Sequence, residues 1–137
     1  MKNKIGNPPV LITLPHHTFH GGVGNIYKTI EWQKEDKITY FYNTKEKKSG
    51  DIGFILLMLF RFILKIQKNR IVHLNPSLNP KAIIRDGLLL LLAKIFKKKI
   101  IVFFHGWDDN FQDIIANNKL YKRLFRTVIN QVSSNAK

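Results

Sequence analysis

The chain has no cysteine, which removes disulfide scaffolds, cysteine-zinc sites, thiol nucleophiles and iron–sulfur clusters together. Acidic residues are scarce. Asp plus Glu number 9 against 23 Lys plus Arg, a net charge of +14. A surplus of that size points to an anionic partner: nucleic acid, a nucleotide or phosphorylated substrate, or a membrane surface. Long apolar runs are missing too. Ile52–Ile66 comes nearest but contains Arg61 and Lys65, and Leu88–Phe96 is shorter and contains Lys94. Neither reaches the ~20 apolar residues that a span requires. Residues 1–9 are polar with no apolar signal core, so a cytoplasmic chain is expected, able to rest at the inner face of a membrane. No repeat or low-complexity linker interrupts the 137 residues, and 45% of them are hydrophobic, which suits a single domain over 1–137 with a genuine core.

Apolar runs and turn residues alternate along the chain. Val10–Leu14 reads as a strand, followed by the turn His20-Gly21-Gly22-Val23-Gly24 and a helix over Asn25–Lys34. Ile38–Tyr42 reads as a second strand. Asp51 is placed to cap a helix running to Lys68, apolar on nearly every side. Ile71–Leu74 is a third strand, Lys81–Lys98 a third helix, Ile100–Phe104 a fourth strand and Leu120–Val132 a last helix. Continuously hydrophobic strands separated by helices predict an α/β, Rossmann-like fold, with a mainly parallel sheet and helices on both faces.

Parallel topology sorts the polar residues by place. Strand C-ends share one edge with helix N-ends, and ligands bind there in such folds. His16, His17, Asn43, Asn75, Ser77, His105, Trp107 and Asp108 fall on that edge, with His20 and the glycines just after the first strand; among the histidines only His73 sits inside a strand. Lys65, Lys68, Arg70, Lys94, Lys97, Lys98 and Lys99 fall at helix C-ends on the opposite edge, where the helix dipole favours them. Gly21, Gly22 and Gly24 let backbone approach a ligand, and the next helix offers unpaired N–H groups to phosphate. As a dinucleotide fingerprint the run is poor, since Tyr27 stands where a third glycine belongs and the second strand ends in Asn43 rather than an acid. His16, His17 and His20 have no supporting carboxylate cluster, so no metal site is expected. His105 follows a buried strand and precedes glycine; its ring either points into the crevice or is satisfied by nearby backbone. Arg85 either anchors a loop or phosphate, or pairs with Asp86 or Asp108. The aromatic residues Phe41, Phe60, Phe62, Phe103 and Phe104 lie within apolar runs and are expected in the core. No nucleic-acid-binding signature is visible.

Taken in order, Gly21-Gly22-Val23-Gly24 after a strand, Ile71-Val72-His73-Leu74-Asn75-Pro76-Ser77, Lys81-x-x-x-Arg85-Asp86 and Phe103-Phe104-His105-Gly106-Trp107-Asp108 resemble the N-terminal half of family-4 retaining glycosyltransferases. The resemblance covers Val10–Val132. It implies the GT-B fold, two Rossmann-like domains facing a cleft, with this chain as the acceptor-side domain. It further implies transfer of a sugar from a nucleotide-sugar donor to a glycan or lipid-linked acceptor in cell-surface polysaccharide or glycolipid synthesis, with no metal and no other cofactor. By the same resemblance His105 approaches the transferred sugar, and Gly21, Gly22 and Gly24 lie near acceptor and donor diphosphate. His16, His20, Asn75, Ser77, Trp107 and Asp108, placed on that edge by topology, and Arg85 are the further candidates for substrate binding. The family's donor-binding C-terminal domain is expected to be absent from this chain. The expectation is therefore a truncated frame or a split subunit, inactive alone, that works with a missing domain or separate partner. The contrasting reading is a non-catalytic module in which Ile52–Ile66 and the basic helix Lys119–Val132 dock on lipid or on another subunit.

Overall fold

The computed structural model describes residues 8–15, 22–29, 37–43, 52–78, 80–107 and 109–134. The first half of the chain forms β1 (Val10–Leu14), α1 (Gly22–Thr29), β2 (Ile38–Tyr42), α2 (Ile52–Ile66) and β3 (Ile71–Leu74). Then come β4 (Ser77–Leu78), α3 (Pro80–Ile95), β5 (Lys99–Val102), β6 (His105–Trp107), α4 (Asp109–Asn117) and α5 (Lys119–Ser134). Four strands make one parallel sheet in the order β2-β1-β3-β5, and β4 pairs with β6 in a separate two-stranded ribbon. The architecture is α/β and Rossmann-like, as the alternation of elements predicts.

Successive strand residues point to opposite faces of a sheet, and the core divides accordingly. On one face Leu11, Phe41, Val72, Leu74 and Ile100 pack against Met58, Phe62 and Ile66 of α2 and Leu89, Leu90 and Ala93 of α3. Phe62 is fully buried, its ring edge-on to Phe41 at 5.1 Å. On the other face Ile12 and Leu14 pack with Tyr27 of α1. The two-sided cover follows from topology. The crossover from β1 to β2 runs one way along the sheet, and those from β2 past β1 to β3 and on to β5 run the other way. A common right hand therefore places α1 on one face and α2 and α3 on the opposite face.

Several boundaries differ from those the sequence suggests. The first helix starts at Gly22 rather than Asn25, so two glycines lie in its opening turn; residues 30–36 fall outside the described set. The last rung between β3 and β5 is Phe103 N donating to Leu74 O at 2.9 Å. Beyond it Pro76 has no N–H to continue a ladder, so β5 stops at Val102, and His105–Trp107 forms a strand of its own against Ser77–Leu78. α4 lies in a stretch to which the sequence patterns assign no element, and its Phe111 is buried with Ile83 of α3. Phe60 and Phe103, expected in the core, are 59% and 56% exposed. Phe60 is on the outward side of α2, and Phe103 is past the end of its strand. The last helix packs against α3 and α4, with Leu124 close enough to Gly87 that a Cβ there would sit 3.4 Å from its Cδ2.

Candidate functional site

The chain leaves β1 towards β2, then returns past β1 to β3. The carboxyl ends of β1 and β3 therefore form the topological switch point, where ligands bind in open α/β sheets. A buried polar network fastens this point. Thr13 is fully buried within an otherwise apolar strand. Its Oγ1 donates to His73 O at 3.4 Å and accepts from Asn75 N at 3.3 Å, while Asn75 Nδ2 donates to Thr13 O at 2.9 Å. The backbone register between β1 and β3 runs only to Ile12 opposite His73, so the asparagine amide extends the pairing past the last rung. Tyr27 reaches in from α1 and donates its hydroxyl to Asn75 Oδ1 at 3.2 Å. Burial pushes the Tyr27 phenol above its ordinary value, against the smaller opposing effect of that bond, so the phenol keeps its proton and acts as donor. Its ring also lies edge-on to His73 at 6.3 Å.

A second network joins β2 to α3. Asn43 continues β2, its N–H donating to Leu14 O at 2.8 Å. Its Nδ2 donates to Asp86 Oδ1 at 2.9 Å. Arg85 closes a fork on the same carboxylate, Nε to Oδ1 at 2.9 Å and Nη2 to Oδ2 at 2.8 Å. Burial raises the Asp86 carboxyl from its ordinary value, and the guanidinium and the Asn43 amide pull it back. Of the two roles open to Arg85 in the sequence, the ion pair with Asp86 is the one found.

The expected site residues thus divide. Asn75 is on the switch-point edge, but it is buried and its amide is engaged internally; Arg85 is likewise engaged. Gly22 and Gly24 lie in the first turn of α1, the helix that follows β1 on this edge. Ser77 is directly opposite His105 in the β4–β6 ribbon, and Leu78 is opposite Trp107. The Asn75-Pro76-Ser77 and His105-Gly106-Trp107 loops are therefore held side by side beyond the ends of β3 and β5. His16, His20, Gly21 and Asp108 lie outside the described residues. No group of three or more metal-ligating side chains occurs among the described residues.

Sequence reasoning passed over Thr13 and Tyr27 as functional framework, although a signal existed. A hydroxyl in the middle of Val-Leu-Ile-Thr-Leu must find a partner once buried. What results is a stiff edge. Its polar side chains hold the strands together, and among the described residues the opening turn of α1 and the paired loops border it. No protein-family model, curated protein or solved structure matches the chain.

Proposed function

We propose that the chain is the acceptor-side half of a two-domain glycosyltransferase that takes a nucleotide-sugar donor. The observation that carries this reading is the parallel pairing of Ser77 with His105. It joins two of the loops on which the resemblance rests, on the same sheet edge from which the glycine-led helix α1 starts. In this reading backbone N–H groups around Gly22 and Gly24 face the charge that develops on the leaving diphosphate. The His105 imidazole meets the sugar, and the loops bearing Ser77, Trp107 and Asp108 hold the acceptor. Asn75 acts behind them, fixing its loop through Thr13, and Arg85 ties α3 to the end of β2 through Asp86 and Asn43.

The test is an amide-resolved NMR titration of the full chain with mono- and oligosaccharides, and separately with nucleoside diphosphates. Saccharides are expected to shift the amides of Gly22, Gly24, Ser77 and His105 in a saturable way, with nucleoside diphosphates binding more weakly because their contacts belong to the partner domain. Saturable nucleotide binding tighter than that of any saccharide would place the donor site in this half and sink the assignment.

A further inference from the structure

The outer surface of the helix layer is apolar where a water-facing surface should be polar. Met58, Phe62 and Ile66 form the buried stripe of α2. Residues 56, 60 and 64 lie on the other side of the helix by its 3.6-residue period. They are Leu56, Phe60 and Leu64, exposed at 62%, 59% and 51%, with Leu57 beside them. α3 repeats the arrangement. Leu89, Leu90 and Ala93 face the sheet, whereas Leu91 and Ile95 are exposed, Ile95 at 72%. Both helices cover the same sheet face and touch one another, so these apolar backs form one outward surface. Scattered exposed leucines are ordinary, but a contiguous patch of this kind marks a docking surface.

Charge identifies the occupant. From Ile52 to Lys99 the only acidic residue is Asp86, which is buried against Arg85. Arg61, Lys68, Lys94 and Lys97 are exposed on α2, α3 and the turns that end them. A second copy would set this cationic rim against its own like. A bilayer with anionic headgroups offers both phases the surface needs, acyl chains for Leu56, Phe60 and Ile95, and negative charge for the rim. No helix among the described residues is long and apolar enough to cross a membrane. We infer that the joint outer face of α2 and α3 lies in the interfacial plane of an anionic membrane, as a monotopic contact. The basic helix α5 is not the anchor, because Tyr121 and Phe125 on its apolar stripe are taken up against Ile83 and Phe111. The inference stands apart from the proposed catalytic reading, since the surface is on the helix layer and not on the switch-point edge.

Cosedimentation of the full chain with vesicles of phosphatidylcholine alone, and of phosphatidylcholine with phosphatidylglycerol, tests it. Binding is expected for the anionic vesicles, weakened by salt, and little for the neutral ones. The double variant Leu56→Ser/Phe60→Ser alters exposed positions only, and circular dichroism checks its fold. It should bind at least about tenfold more weakly, because two large side chains no longer enter the acyl region. A second double variant, Leu91→Ser/Ile95→Ser, should weaken binding in the same direction. Undiminished binding by both variants would reduce the effect to adsorption by net charge and overturn the inference. So would equal binding to neutral vesicles, or a dimer in sedimentation velocity that the variants abolish while wild type ignores vesicles.

Discussion

Three donors reach the Asp86 carboxylate, two from Arg85 and one from Asn43, and the group is almost wholly cut off from water. Desolvation favours the neutral acid and outweighs the three contacts, so the carboxyl is held above its ordinary value of 3.8. A carboxyl raised in this way keeps its proton longer in the folded chain than in the unfolded one. Its contribution to stability is greatest below the unfolded value and is lost as pH rises through the folded value. Arg85→Met removes the cation that opposes burial and so widens that window. The variant is expected to lose about 3 kcal/mol relative to wild type at pH 7, and to regain part of the difference at pH 5. Urea denaturation of both proteins at the two pH values reads this; an equal loss at both would mean that Asp86 is not what Arg85 serves. Only part of the cluster was legible in the sequence. Arg85 beside Asp86 on an apolar helix announces a partner problem, but Asn43 is 43 residues away in the chain. Its meeting with Asp86 depends on where α3 crosses the sheet, which no local pattern encodes.

Helix ends were the least legible elements. α3 ends in a Schellman arrangement, with Lys97 N donating to Lys94 O and Lys98 N to Ala93 O, both at 2.9 Å. That closure puts Lys97 in the left-handed region at φ 52°, a position glycine usually takes. Lysine is a good helix former, so the sequence reads straight through to Lys98. Lys97→Gly should relieve the conformation and raise stability by about 1 kcal/mol, measured by urea denaturation; an unchanged midpoint would show that the left-handed turn carries no strain. The break between α4 and α5 was hidden for a related reason. Asparagines suggest a loop, yet Asn118 ends α4 through its N–H and caps α5 with its side chain, accepting from Leu120 N at 2.9 Å and Tyr121 N at 3.3 Å. α2 closes by a similar device, Asn69 Nδ2 donating to Lys65 O at 2.9 Å.

At the scale of the molecule the fold class was legible, because buried parallel strands must be apolar throughout and must be linked by helices. The strand order and the covering of each face were not, since apolar character states what a residue prefers and not whether a neighbour arrives to cover it. Phe60 and Phe62 differ by two positions and have opposite fates. The parallel sheet has a further consequence at its margin. Among the described residues β5 pairs only with β3, at the margin of the sheet. The segment there is Lys99-Ile-Ile-Val-Phe-Phe104, rich in β-branched and aromatic side chains and bare of proline, with Ile101 and Phe103 exposed. A marginal strand of this composition is a template on which a neighbouring molecule can add a strand. Lys97, Lys98 and Lys99 stand at its entrance as gatekeepers, and the overall +14 keeps approaching molecules apart over about 10 Å at 0.1 M salt, a range that shrinks to about 3 Å at 1 M. Light scattering and thioflavin fluorescence should therefore stay flat in dilute buffer and rise as salt is added, whereas growth at low salt and none at high salt would assign aggregation to another surface. Colloidal solubility in this chain is thus an electrostatic property, guarding an apolar strand at the margin of its sheet.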